Sequence, residues 1–138
     1  MIVTTYRRLE RSRRLFLGVL AALVLGACAK APLHVRTIQI GKSLNSDHSV
    51  GTITSQFRPA DTIYVAVLTD ASGRSAITAR WTYAGRPVSE ETKTVSYQGE
   101  AATEFHIQNS GGFPEGDYKV AILVDGQPVG EREFRVEK

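Results

Sequence analysis

Residues 35–138 predict an all-β fold, an antiparallel β-sandwich of about seven or eight short strands with no disulfide. Three observations carry this. After residue 34 no segment keeps a 3.6-residue apolar period, whereas two-residue alternation recurs along the chain. The alternating segments are rich in β-branched residues, which suit a pleated, half-buried surface. Gly, Pro and Asp punctuate them at short intervals, as turns require. The chain has 138 residues, room for one domain. Its single cysteine, Cys28, excludes an internal disulfide and a cysteine-based metal cluster.

The elements follow in order. Val35 to Ile40 is the first strand candidate, and residues 41–50 form a polar loop. Gly51 to Phe57 is a second, weaker strand, ended by Pro59. Asp61 to Leu68 alternates best, with Ile63, Val65 and Val67 on one face; Asp70 to Gly73 closes it as a turn. Ala76 to Tyr83 puts Ile77, Ala79, Trp81 and Tyr83 on one face. Gly85-Arg86-Pro87 reads as a break, Thr92 to Tyr97 as a moderate strand, and Gln98 to Glu100 as a turn. Ala101, Thr103, Phe105 and Ile107 then share a face, with His106 opposite. Residues 108–117 are a long turn. Tyr118, Val120, Ile122 and Val124 align on the next strand, Asp125-Gly126 is a hairpin signal, and Glu131 to Val136 is the last strand.

Two features resemble immunoglobulin-like and fibronectin-type-III-like modules. Trp81 stands mid-strand where such domains keep a core tryptophan, and Gly116-Asp117-Tyr118 precedes the penultimate strand as a tyrosine corner does. The resemblance implies that the Tyr118 hydroxyl bonds back to nearby backbone. It also implies that Val120 and Val65 occupy the positions of the missing disulfide. It covers roughly residues 35–137 and speaks to architecture, since such sandwiches host many unrelated roles.

The first residues read as an address. Residues 1–27 hold Arg7, Arg8, Arg11, Arg13 and Arg14 against Glu10. Residues 15–27 are an uncharged, mostly apolar run of thirteen, shorter than the roughly 20 residues of a spanning helix. A basic start, a short apolar stretch and small residues at its end describe a cleaved export signal helix. The run ends Leu25-Gly26-Ala27-Cys28, which resembles the lipobox of bacterial lipoproteins. That resemblance implies cleavage between Ala27 and Cys28 and a covalent lipid, such as palmitate, on Cys28. Ser12-Arg13-Arg14-Leu15-Phe16-Leu17 resembles the twin-arginine motif but departs from it at Gly18, and the strong hydrophobicity favours the general secretory route. In lipoproteins of enteric-type bacteria an Asp after the cysteine tends to retain the protein in the inner membrane; Ala29 stands there instead, so the resemblance implies the outer membrane and a periplasm-facing domain. The expected organisation is a signal peptide over 1–27, lipidated cysteine and tether over 28–34, and the sandwich over 35–138.

Charge and motif content narrow the function. The net charge of +3 belongs to the export signal; without residues 1–27 the rest is close to neutral, so no basic footprint for nucleic acid remains. His34, His48 and His106 lack metal-ligand spacing, and there is no Gly-x-Ser-x-Gly elbow. Glu90 and Glu91 read as a solvated loop, Asp47 and His48 as an Asx-type turn, and Arg74, Arg80 and Arg86 as scattered surface charges. No catalytic residue, metal site or cofactor beyond the lipid on Cys28 is expected. The leading expectation is a non-enzymatic, membrane-anchored envelope lipoprotein. Its sandwich binds a protein partner or stabilises an envelope complex, with Phe113, Pro114 and Tyr64 as contact residues. The alternatives are a protease inhibitor or chaperone-like factor acting through residues 113–116, and a small-ligand or sugar-binding module with exposed aromatics.

Overall fold

A computed structural model describes residues 31–138. The expected signal peptide, the cleavage point at Ala27 and Cys28 lie outside those residues. Among the described residues there are eight strands: β1 (Val35–Gly41), β2 (Gln56–Phe57), β3 (Ile63–Thr69), β4 (Gly73–Tyr83), β5 (Arg86–Tyr97), β6 (Ala101–Ile107), β7 (Gly116–Val124) and β8 (Gln127–Val136). They form a three-stranded sheet in the order β1-β3-β6 and a five-stranded sheet in the order β2-β8-β7-β4-β5. All pairings are antiparallel except the two-residue β2, which runs parallel to β8.

The core lies where the alternating faces meet. Ile63, Val65, Val67, Ile77, Ala79, Phe105, Val120, Ile122 and Val136 are fully buried, and Trp81 is almost so. Val65 and Val120 are thus buried on facing sheets, and apolar packing fills the space between them. Phe134 sits at the centre of an aromatic cluster, stacked on Tyr118 at 5.3 Å and edge-on to Phe57 and Trp81.

Four expectations need correction. The break at Gly85-Arg86-Pro87 is only the two-residue turn Ala84-Gly85, with φ of 46° and 78°, and β5 begins at Arg86. Pro87 is tolerated because β5 is an edge strand. Glu90 and Glu91 therefore lie on a strand rather than a loop, and Glu90 accepts a hydrogen bond from Arg80 Nε at 2.8 Å. The weak strand at 51–57 shrinks to Gln56–Phe57, because residues 42–55 form a loop bridged to the end of β1, with Ile53 opposite Gly41 and Val50 opposite Leu44. There Val50 is buried and its N–H donates to Gln39 Oε1 at 3.0 Å; Gln39 pairs with Ala66, which lies on the outer face of β3 and is fully buried too. Finally, the packed domain starts before residue 35: Leu33 is part of the core, and its N–H donates to Ser75 Oγ at 2.9 Å.

The five-stranded sheet contains a repeat. Gly85-Arg86-Pro87-Val88-Ser89-Glu90 and Gly126-Gln127-Pro128-Val129-Gly130-Glu131 share Gly-x-Pro-Val-x-Glu. Each follows a turn residue with positive φ, Ala84 or Asp125, which fits the type I′ hairpin geometry. Each hairpin has a bulge at the same place: the register runs from Pro87 to Ser89 and from Pro128 to Gly130 against adjacent partner residues. The extra residue is Val88 in one and Val129 in the other, and both are exposed.

Candidate functional site

The site begins with the connection from β6 to β7. Asn109 accepts hydrogen bonds from Gly111 N–H at its side chain and from Gly112 N–H at its carbonyl. Gly112 has φ of 81° and lies against Pro59, where a side chain is strained and crowded. The next residue, Phe113, donates its N–H to Pro59 O at 2.8 Å. The Tyr118 hydroxyl donates to Pro114 O at 2.7 Å, which is the tyrosine corner. Burial, with the neighbouring Tyr83 adding to it, holds the Tyr118 hydroxyl above its usual pKa, so it remains a proton donor. Tyr83 donates its own hydroxyl to Glu115 O at 3.0 Å, and its ring lies 4.6 Å from that of Tyr118. The long turn is therefore pinned at both flanks.

Beside it opens a groove of about 550 Å³, lined among others by Tyr83, Val88, His106, Ile107, Phe113 and Pro114. It lies where β5 and β6, edge strands of their respective sheets, diverge. Further along the same seam Lys93 closes the gap. Its ammonium donates to Glu104 O at 2.6 Å and lies 4.9 Å from the Phe105 ring centroid. An inward lysine on an edge strand also discourages strand addition by strangers. Burial alone raises the Glu104 carboxyl, but His106 and Lys93 outweigh it, leaving its pKa below the usual 4.5.

The three expected contact residues come together here in different ways. Pro114 is exposed and lines the groove. Tyr64 is half-buried and packs on His106, ring centroids 5.5 Å apart, on the groove's margin. Phe113 lines the groove but is only 9% exposed, edge-on to Tyr118 at 6.1 Å. It is a core residue rather than a projecting anchor, because the Pro59 contact turns its side chain inward. The sequence reading missed Val88, which is 51% exposed and gives the groove its exposed apolar group. Its exposure follows from the bulge, which a single sequence marks only by the repeat around it.

The other candidates scatter. Asp47 accepts from Ser49 N–H and Oγ, an Asx turn, and those two bonds lower its carboxyl pKa. Arg80 is paired with Glu90, while Arg74 and Arg86 are exposed on other parts of the surface. Among the described residues no group of three or more His, Cys, Asp or Glu side chains is placed to hold a metal ion.

Among solved structures, the chain is similar to an immunoglobulin-like protein from Pseudomonas aeruginosa. The TM-score is 0.55 at 12% identity, over 79% of this chain and 99% of that one. The fold is an immunoglobulin-like β-sandwich. The strand order agrees, because β5 extends the sheet of β4, β7 and β8, as an added strand does in variable-type domains. Weaker overlaps link it to parts of two larger enzymes. One is an alkylpurine DNA glycosylase from Pseudomonas fluorescens, with TM-score 0.46 and 15% identity over 73% of this chain and 30% of that one. The other is a β-glucosidase from Listeria innocua, with TM-score 0.45 and 14% identity over 74% of this chain and 16% of that one. No protein-family model matches the sequence, and none of the curated proteins does.

Proposed function

We propose that this protein is a non-enzymatic lipoprotein of the bacterial envelope, anchored through a lipid on Cys28. Its immunoglobulin-like domain binds an extended segment of an envelope protein in the groove between β5 and β6. The lipid supplies localisation; two or more acyl chains hold firmly, at about 0.8 kcal/mol per buried CH₂. The observation that carries the binding reading is the groove itself. It pairs an exposed valine, Val88, with a floor fixed by two hydroxyl-to-backbone bonds. A pre-formed floor keeps the ordering cost of association low. Lys93 closes the β5–β6 seam further along, so the groove takes a short extended stretch of polypeptide by side-chain contact rather than by strand addition.

The two alternatives have less behind them. A loop that inserts into a protease cleft must project its side chain, and Phe113 is buried. A sugar platform uses exposed aromatic rings, and Trp81 is 1% exposed.

The test combines acyl labelling with partner capture. Wild-type protein takes up labelled palmitate and sediments with membranes; Cys28→Ser does neither. In anchored protein, Val88→Arg loses a crosslinked envelope partner while the melting temperature holds. Labelling that persists in Cys28→Ser overturns the anchor. Crosslinks identical in wild type and Val88→Arg overturn the groove.

A further inference from the structure

The sandwich has two ends, and the chain enters at one of them. Register places Val35, Thr69 and Ala101 together at the end of the three-stranded sheet where the chain enters. The β3–β4, β5–β6 and β7–β8 connections share that end. The groove, the Ala84-Gly85 turn and residues 108–115 lie at the other.

Entry is fixed by packing. Arg74 N–H donates to Ala31 O, and Asp70 N–H to His34 O. His34 Nδ1 lies 2.9 Å from Asp70 Oδ1, and Leu33 is 5% exposed. A Cβ at Gly73 would meet Ala31 O at 2.5 Å, so this close approach needs glycine. Only Ala29 and Lys30 separate Cys28 from Ala31. Three chain steps span about 10 Å when fully extended. The 11-residue β4, by contrast, runs about 33 Å from end to end.

We infer that the bilayer carrying Cys28 covers the end formed by the β3–β4, β5–β6 and β7–β8 connections. The domain stands end-on, and the groove is held some 30 Å above the lipid surface. The inference rests on the proposed lipid anchor. A tether of about 10 Å cannot reach from the groove end to the bilayer. Tilting onto the broad face of the five-stranded sheet gains nothing from charge. There Arg74, Arg80, Lys119 and Arg135 nearly balance Glu90, Asp117, Glu131, Glu133 and Glu137 and most are paired with one another, so that face has no basic patch to draw it onto anionic lipid. A partner therefore approaches the groove from above or from the side, never from the lipid surface.

Two exposed serines report the orientation: Ser72 in the β3–β4 connection and Ser110 beside the groove. The full-length chain is produced in a bacterial host as Ser72→Cys or Ser110→Cys. A thioether at Cys28 leaves the introduced thiol as the only one free to label. Each labelled protein is bound to vesicles of phosphatidylcholine and phosphatidylglycerol that carry a nitroxide on the headgroup. End-on standing predicts that the Ser72 label loses emission while the Ser110 label keeps it. Equal quenching at both sites, or greater quenching at Ser110, overturns the orientation and leaves the anchor standing. Failure of both proteins to float with vesicles overturns the anchor, and the orientation with it.

Discussion

The two hairpins of the five-stranded sheet are built from one local pattern and meet different surroundings. Both turn on two residues of positive φ, place proline two residues after the glycine and extrude a valine at a bulge. Val88 extends over a groove floored by Tyr83, Phe113 and Tyr118, whereas Val129 stands exposed on the β7–β8 hairpin at the opposite end of the sheet. The turns differ as well. Asp125 accepts the Ala76 N–H at 2.9 Å and donates its own N–H to Ala76 O at 2.8 Å. Ala84 has no side-chain acceptor and makes only a backbone bond, to Asp117 O at 3.1 Å. Local sequence makes the hairpin; what packs beside it makes one bulge a candidate contact and the other a surface feature.

The comparison can be broken first at the floor of the groove. Phe113→Ala removes a core aromatic and costs about 3 kcal/mol in denaturant unfolding. Unchanged stability would mean that Phe113 is not part of the core. Next come the turn glycines. Gly85→Ala and Gly126→Ala each force alanine into φ near 80° and lower stability by about 1–2 kcal/mol, to similar extents. A large inequality in thermal melts would contradict the shared geometry. Asp125→Ala then costs roughly 0.5–1.5 kcal/mol through the lost bond to Ala76. Ala84→Asn, by contrast, gains a few tenths because asparagine tolerates the left-handed region better.

The smallest effect is electrostatic. Glu104 has a pKa lowered in the fold, so its contribution is present above the ordinary 4.5 and is lost as pH falls through the folded value. Stability of wild type minus Glu104→Gln should therefore shrink on acidification below pH 4.5. A difference that grows there would reverse the sign.

Much of this architecture was legible in the chain. Alternation marked β3, β4, β6 and β7, because each buries one face and side chains repeat every two residues. Gly116-Asp117-Tyr118 marked the corner, because that bond is local, only four residues back to Pro114. What stayed hidden depends on distant neighbours. The first half of β5 is exposed on both faces, so no alternation betrays it. Ala66 is fully buried although it alternates with the inward Val65 and Val67, which a period of two does not foretell. Phe113 reads as a loop anchor until Pro59 is seen to hold its backbone.

The most direct measurement is photocrosslinking in living cells with a photoreactive residue at position 88 or 129 of the anchored protein. The account predicts a defined envelope partner captured from position 88, lost in the Cys28→Ser background, and none from position 129. Equal capture from both positions, or from 129 alone, would contradict the assignment of the β5–β6 groove as the binding site.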